Sequence, residues 1–366
     1  KGAEQAMIIA TSVLVVACPC ALGLATPIAL VAGSSAAARK GLILADHAAL
    51  EAGADLTLVA FDKTGTLTEG RPSLVAISAS IDQEQALQLA ARLSAGSDHP
   101  IDQAIVAGAK ARGIFRGGIE QFSALSGAGL SGVHEGQKIA LGSRRFLDPE
   151  RQQDAAFAAL EAGLEVAQRI LPASYLAIDG RVVAILVVGD PLRVESRAAI
   201  TALHALGVKS VMLSGDRQEV VAPVAASLGI DDARGGLKPE DKLAALKQLA
   251  ESGARLGFVG DGLNDGPALR MAHVGIAMGS GTEVAKNAAS VVLARPDPRL
   301  VAELIRIARR TRAGIRENLT LAFLFNGIAV PLAMAGKLSP ALAGAAMALS
   351  SVSVALNALR LARSGR

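Results

Sequence analysis

With 366 residues the chain is long enough for two or three domains, and 51% hydrophobic against 19% charged residues fits a membrane protein carrying a soluble part better than a wholly soluble enzyme. A net charge of +4 with only 2% aromatic residues leaves no stacking runs for RNA or DNA, so nucleic acid is excluded as a partner. The two cysteines, Cys18 and Cys20, are too close together and too deep in an apolar run for a disulfide scaffold.

No charged residue lies between Gln5 and Ala38. A bilayer core needs only about 20 apolar residues in a helix, so this run spans it and projects beyond. It is too long for a secretory signal, and no cleavage-like site follows. The chain opens with Lys1 almost directly in this span, which predicts a fragment or a processed chain. On an intact helix Cys18 and Cys20 point roughly 200° apart. Pro19 removes an N–H and clashes with the preceding turn, which predicts a break that makes the thiols usable together, with Gly23 and Pro27 extending the kink. Irregular backbone at membrane depth is tolerated where it is buried or lines a cavity.

From about 41 to 300 the pattern changes. Leu56–Asp62 is a short apolar run ending in an acid, and Ala184–Asp190, Lys209–Asp216 and Ala254–Gly262 repeat it. Helical patterns Val194–Leu206, Arg217–Leu228 and Pro239–Glu251 alternate with them. Strand-helix alternation predicts a doubly wound parallel sheet, with Asp62, Asp190, Asp216 and Asp261 at the carboxyl ends of its strands, where sites form. Acids gathered at one edge repel each other, so a divalent cation and phosphate chemistry fit. Helical segments Ile81–Leu93 and Ile101–Ala111, then a hairpin turning at Asp179-Gly180, break the alternation and predict an α+β insertion.

The chain ends in a second uncharged run, Asn318 to Leu359, interrupted only by Lys337. Gly336 to Pro340 reads as a turn between two spans. Arg39, Lys40, Arg306, Arg309, Arg310, Arg312, Arg316, Arg360, Arg363 and Arg366 flank the spans on one side, which places the large middle region in the cytoplasm.

The motif "DKTGTLTEG", Asp62 to Gly70, with "GDGLNDGPAL", Gly260 to Leu269, resembles the P-type ATPases over nearly the whole chain. The resemblance implies an α/β haloacid dehalogenase-like phosphorylation domain, a doubly wound parallel sheet, with an inserted α+β nucleotide-binding domain flanked by transmembrane helices. The map is a transmembrane helix with Cys-Pro-Cys (1–40), phosphorylation domain (41–69 and 183–300) and nucleotide-binding domain (70–182). A basic cytoplasmic helix (301–316) and two transmembrane helices with a tail (317–366) follow.

In that family an Asp attacks the γ-phosphate of ATP, and positioning with charge neutralisation does most of the work. The resemblance makes Asp62 the nucleophile. Lys63, Thr64, Thr66, Ser214, Gly215, Asp216, Lys242, Asn264 and Asp265 complete the catalytic shell. Asp62, the main-chain carbonyl of Thr64 and Asp261 hold Mg²⁺, which prefers oxygen ligands. "SDHP" and "GAGLSG" resemble the nucleotide motifs of heavy-metal pumps and make His99, Gly127 and Gly129 the ATP-binding candidates. Ser94 stands where that family often has Glu.

Cys-Pro-Cys followed by the cytoplasmic unit and two spans resembles the heavy-metal branch, copper-transporting group. Thiolates favour Cu(I) and also suit Zn²⁺ or Cd²⁺. "MALSS" and Phe325-Asn326 resemble the copper pumps' Met-x-x-Ser-Ser and Tyr-Asn, which makes Cys18, Cys20, Asn326, Met347 and Ser351 the Cu(I) ligands. The mid-span Asp and Lys of zinc pumps are missing. Read alone, Met347 is core filler and Ser350 and Ser351 are small packing residues.

The implied function is ATP-driven Cu(I) export through phospho-Asp62, by an integral protein of a bacterial inner or plasma membrane. Membrane lipid, a copper chaperone as ion donor and the missing amino-terminal part of the pump, including the actuator domain, are the expected partners. A Zn²⁺/Cd²⁺ pump and a non-transporting fragment that binds nucleotide and metal are the alternatives. A membrane-anchored phosphatase is disfavoured, because Thr64 replaces the second Asp such enzymes carry as general acid.

Overall fold

The computed structural model describes residues 2–363 apart from 19, 116, 126–128, 145–154, 170, 263 and 264. Two sheets carry its soluble part. Strands β1 (Leu42–Leu44) and β2 (Leu58–Asp62) come first. The insertion supplies β3 (Ser73–Ala79), β4 (Glu120–Leu125), β5 (Gly129–His134), β6 (Gln137–Gly142), β7 (Ala173–Ile178) and β8 (Arg181–Gly189). Strands β9 (Lys209–Leu213), β10 (Asp232–Arg234), β11 (Leu256–Gly260), β12 (Val274–Ala277) and β13 (Val291–Leu293) complete the set.

The first sheet has the order β1-β13-β12-β11-β2-β9-β10. All its neighbours are parallel except β1 against β13. β2 and β11 are buried at every position, as expected of uninterrupted apolar runs covered on both faces. Helices Ser196–His204 and Gln218–Leu228 cover one face, together with Ala36, Ala37 and the start of the long helix Arg299–Met334. Helices Pro239–Glu251, Gly266–Met271 and Glu283–Ala288 cover the other. The doubly wound sheet expected from the alternation is present.

The second sheet is antiparallel, in the order β3-β8-β7-β6-β5-β4. Helices Gln83–Ser94 and Pro100–Ala111 close one face through Leu87, Leu93 and Ile105. The hairpin at Asp179-Gly180 forms as expected, with φ of +47° and +78° at the two turn residues. One strand changes sheets. The run Ala184–Asp190, expected in the parallel sheet, lies in β8 up to Gly189 and pairs there with β3 and β7. The insertion's sheet thus continues to Gly189, past the boundary expected at 182. An apolar run buried on both faces reads alike in either sheet, and only its partner decides.

Helix Gly2–Val16 and helix Cys20–Arg39 are separated at Ala17 and Cys18, so the expected break is present. Pro27 does not extend it, since the second helix runs on through that residue. The basic segment 301–316 is not a separate helix. It is continuous with the following span in one 36-residue helix, Arg299–Met334, because no residue between them ends the helical pattern. The turn at Gly336 (φ +67°) leads into helix Pro340–Arg363. Gly2–Arg39, Arg299–Met334 and Pro340–Arg360 are long and apolar enough to cross a membrane.

Candidate functional site

Asp62 closes β2, flanked by β11 on one side and β9 on the other. The loops after these three strands therefore meet at one sheet edge. The turn Lys63–Leu67 carries Gly65 at φ +72°. A Cβ there would lie 1.7 Å from Asp261 Oδ2, so the Asp261 carboxylate occupies the space that only glycine leaves. Helix Pro239–Glu251 enters from below with Asp241 Oδ2 accepting the Lys238 N–H at 3.0 Å. That cap orients the first turn, and Lys242 Nζ reaches Asp62 Oδ1 at 2.6 Å and Asp265 Oδ1 at 3.3 Å. Lys63 Nζ turns away to Asp216 Oδ2 at 2.5 Å, tying the turn to the loop after β9. Ser214 is buried beside it, and its Oγ accepts the Asp216 N–H at 3.1 Å. Gly215 backs onto the Leu237 carbonyl, 3.5 Å from where a Cβ would stand.

Oxygens of Asp62, Asp261 and Asp265 lie within 4.8 Å of one another. Burial pushes the Asp62 carboxyl up to about 6; Lys242 opposes this and Asp265 adds to it. Asp261 is also pushed up to about 6, by burial and then by Asp265, with Arg193 opposing. Burial works against the charge on Lys242, but Asp62 and Asp265 outweigh it and hold the ammonium above its ordinary range. Such acids gain from a divalent cation, and the hard oxygen set suits Mg²⁺. Thr66 Oγ1 is fully buried with no hydrogen-bonding partner, a group that a bound phosphoryl oxygen would satisfy. Thr64 keeps an extended backbone (φ −73°, ψ 128°) and an exposed side chain. Asn264 lies outside the described residues.

Four residues hold the turn from behind. Asp190, expected at the acidic edge, instead accepts from Thr68 Oγ1 (2.5 Å) and the N–H groups of Gly70 (2.8 Å) and Arg71 (3.2 Å). Arg193 donates to the carbonyls of Thr66 (3.2 Å) and Gly65 (3.0 Å), and Ser196 Oγ to that of Leu67 (2.7 Å). The Gly65 N–H donates to Thr68 Oγ1 at 3.1 Å. Thr68, Arg193 and Ser196 were missed by sequence reasoning. The polar cluster after an apolar strand, "GDPLRVES", was the signal available.

In the insertion, His99 caps helix Pro100–Ala111, its Nδ1 accepting the Ile101 N–H at 3.3 Å. Ser94 is fully buried and, with Ser97, turns its hydroxyl to Asp102 at 3.5 and 2.6 Å. The carboxylate at this corner therefore comes from Asp102. Gly129 opens β5 opposite Leu125 and Gly142. Gly127 lies outside the described residues.

In the membrane helices two apolar clusters bracket the break. Val16 packs with Ala329 and Ala343, with Met347 half-buried against them. Ala21 and Ala25 pack with Ala322 and Val354. Asn326 stands between Ala322 and Ala329 on one helical face, and Ser350 and Ser351 stand between Met347 and Val354 on another. On both helices these residues lie between the members of the two clusters. Pro19 and the Cys20 side chain lie outside the described residues. Cys18 lies in the break itself, between the two helices.

Residues 56–273 match the haloacid dehalogenase-like hydrolase family. The chain is 41% identical over 365 residues to a copper-exporting P-type ATPase of Legionella pneumophila, covering 98% of this chain and 49% of that protein. It is 39% identical over 352 residues to a copper-exporting P-type ATPase of Bacillus subtilis, covering 96% and 44%. It thus spans about half the length of these relatives. Among solved structures, a zinc-transporting PIB-type ATPase in its E2.Pi state is similar with a TM-score of 0.87 at 39% identity, over 94% of this chain and 56% of that one. The catalytic domain of the CPx-ATPase CopB-B is similar with a TM-score of 0.55 at 29% identity, over 74% and 97%.

Proposed function

The chain belongs to the haloacid dehalogenase-like hydrolases and, among them, to the heavy-metal P-type ATPases, and from this premise we propose that it transfers the γ-phosphate of ATP to Asp62 to drive export of Cu(I). The observation that carries the proposal is the buried Asp62, bonded to Lys242 and set against Asp261 and Asp265 at the end of β2. A carboxylate held there by an ammonium is positioned for in-line attack on phosphorus, forming the Asp62–phosphoryl bond as the bond to the ADP oxygen breaks. Lys242 then neutralises oxygens of the transferred group. Thr66 and Ser214 offer hydroxyl donors. Asp62, Asp261 and the Thr64 carbonyl would hold Mg²⁺, which supplies charge neutralisation for the bound phosphates. Thr64 gives no second acid to activate water, which favours a long-lived phosphoenzyme over a phosphatase cycle.

Cu(I) is the proposed cargo because two thiols, a thioether at Met347 and the neutral oxygens of Asn326 and Ser351 suit a soft monovalent ion. The missing intramembrane acid supports the same choice. The similarity to a zinc-transporting structure favours Zn²⁺ as the second reading. A copper chaperone is the proposed donor, and the large soluble region is proposed to face the cytoplasm, on the arginines flanking the spans. With γ-labelled ATP the chain should take an acid-stable, hydroxylamine-sensitive label, and Asp62→Asn should abolish it. A label that persists in Asp62→Asn would place the nucleophile elsewhere.

A further inference from the structure

The long helix Arg299–Met334 passes from the soluble core into its apolar run, which starts at Asn318. Two clefts open at that transition and share Arg312 and Arg316 as a common wall. One, about 420 Å³, is basic, with Arg309, Arg312 and Arg316 on its lining beside Glu317. The other, about 300 Å³, is lined by Leu30, Leu50, Ala308 and Ile315 together with Glu51 and Thr311.

The charges around them are unequally spent. Arg312 is paired with Asp55 through both guanidinium nitrogens, and also donates to the Glu51 carbonyl at 2.8 Å. Glu317 is engaged by Asn357 at 3.0 Å and Arg360 at 2.9 Å. Among the described residues Arg309 donates to the neutral Leu206 carbonyl at 2.8 Å and makes no ion pair. Arg316, exposed within one turn of the apolar run, makes no ion pair among the described residues, its charge reaching Asp55 only through space. Neither cation is ion-paired among the described residues, and the second cleft, with Leu30, Leu50 and Ile315 on its lining, shares Arg316 with the first. Positive-inside topology requires basic residues near the span, but not a cleft lined by them that joins an apolar one.

We infer that these joined clefts bind one anionic phospholipid, its phosphate between Arg309 and Arg316 and the start of an acyl chain in the cleft of Leu30, Leu50 and Ile315. The second cleft decides for lipid over a free oxyanion, because inorganic phosphate has nothing to place there. Each basic residue at a membrane surface changes binding of an anionic lipid about fivefold. Two should therefore act together by roughly 30-fold.

The full chain, purified in a neutral detergent, is titrated with phosphatidylglycerol and with phosphatidylcholine and read by native mass spectrometry. The wild type should retain one phosphatidylglycerol at concentrations where phosphatidylcholine is lost. Arg309→Gln/Arg316→Gln should lose it by roughly 30-fold, Arg309→Lys/Arg316→Lys should keep most of it, and Arg112→Gln on the insertion should behave as wild type. Equal retention of the two lipids by the wild type overturns the inference without any variant. So does unchanged retention in the Gln pair, or release of phosphatidylglycerol by millimolar inorganic phosphate, which would make the cleft an oxyanion site.

Discussion

Lys242 Nζ stands 2.6 Å from Asp62 Oδ1 and 3.3 Å from Asp265 Oδ1, so a single buried ammonium serves both carboxyls. It is the largest influence opposing the effect of burial on Asp62. Lys242→Gln should therefore raise the Asp62 pKa above its present value of about 6 and also remove a cation from the transferred phosphoryl group. Losing one preorganised electrostatic contact of this kind costs about 10²- to 10³-fold in rate. Phosphoenzyme formation in Lys242→Gln should fall by that much at pH 7, and raising the pH to about 9 should restore only a small part. Complete recovery at alkaline pH would reduce Lys242 to setting the charge of Asp62.

The two raised acids make cation binding pH-dependent. Asp62 and Asp261 both titrate at about 6, and each must be ionised to act as a ligand. Above that pH the site is ready for a divalent ion; below it, protons compete. The apparent Kd for Mn²⁺, read by electron paramagnetic resonance without nucleotide, should rise by up to about tenfold per pH unit for each acid as pH falls from 6 to 5. Asp261→Asn should weaken binding and flatten the dependence. An affinity that stays level between pH 7.5 and 5 would remove these acids from the cation site.

The same shift affects stability. The Asp62 carboxyl is pushed up to about 6 from its ordinary value of 3.8, so the folded state binds its proton more tightly than the unfolded chain. Its contribution is greatest below about 4 and is lost as pH rises through 6. At pH 7.5 the ionised, buried Asp62 costs on the order of 2 to 3 kcal/mol relative to its protonated form. Asp62→Asn should therefore melt at a higher temperature than the wild type at pH 7.5 without Mg²⁺, and the gap should close towards pH 4.5. Calorimetry of the phosphorylation-domain transition at the two pH values checks this. A variant less stable at pH 7.5 would show that the Lys242 bond outweighs burial.

Much of this was legible in the sequence, because strands buried on both faces are spelled as uninterrupted apolar runs and the acids follow them directly. Asp62, Asp216 and Asp261 were placed at the sheet edge on that ground alone. Asp190 fits the same spelling, but β8 pairs in the other sheet, and its carboxylate clamps Thr68, Gly70 and Arg71. Strand partners are set by long-range pairing, which a local run does not encode. The clamp of Arg193 on the Gly65 and Thr66 carbonyls was illegible for the same reason, since it crosses the whole insertion. The break near Cys18 was legible because Pro19 acts locally. The smooth passage through Pro27 was not, since helix packing decides whether a kink is taken up.

Two asparagines in the long helix separate a cargo role from a packing role. Asn318 is fully buried, donates to the Ala25 carbonyl at 3.3 Å and accepts from Asn357 at 2.9 Å, linking three helices. Asn326 stands two turns on, level with the break at Ala17 and Cys18. Asn318→Leu leaves the Asn357 amide with one partner fewer and the Ala25 carbonyl without its side-chain donor. It should cost about 1 to 3 kcal/mol of stability and leave Cu(I) affinity of the reduced chain within about threefold of wild type. Asn326→Leu removes a neutral oxygen from the proposed ligand set. It should weaken Cu(I) about tenfold, as loss of a supporting metal contact does, and change thermal stability little. Competition against a Cu(I) chelator, with melting curves alongside, reads both quantities on both variants. If Asn326→Leu keeps wild-type affinity while Asn318→Leu loses it, the cargo site lies near Ala25 rather than at the break.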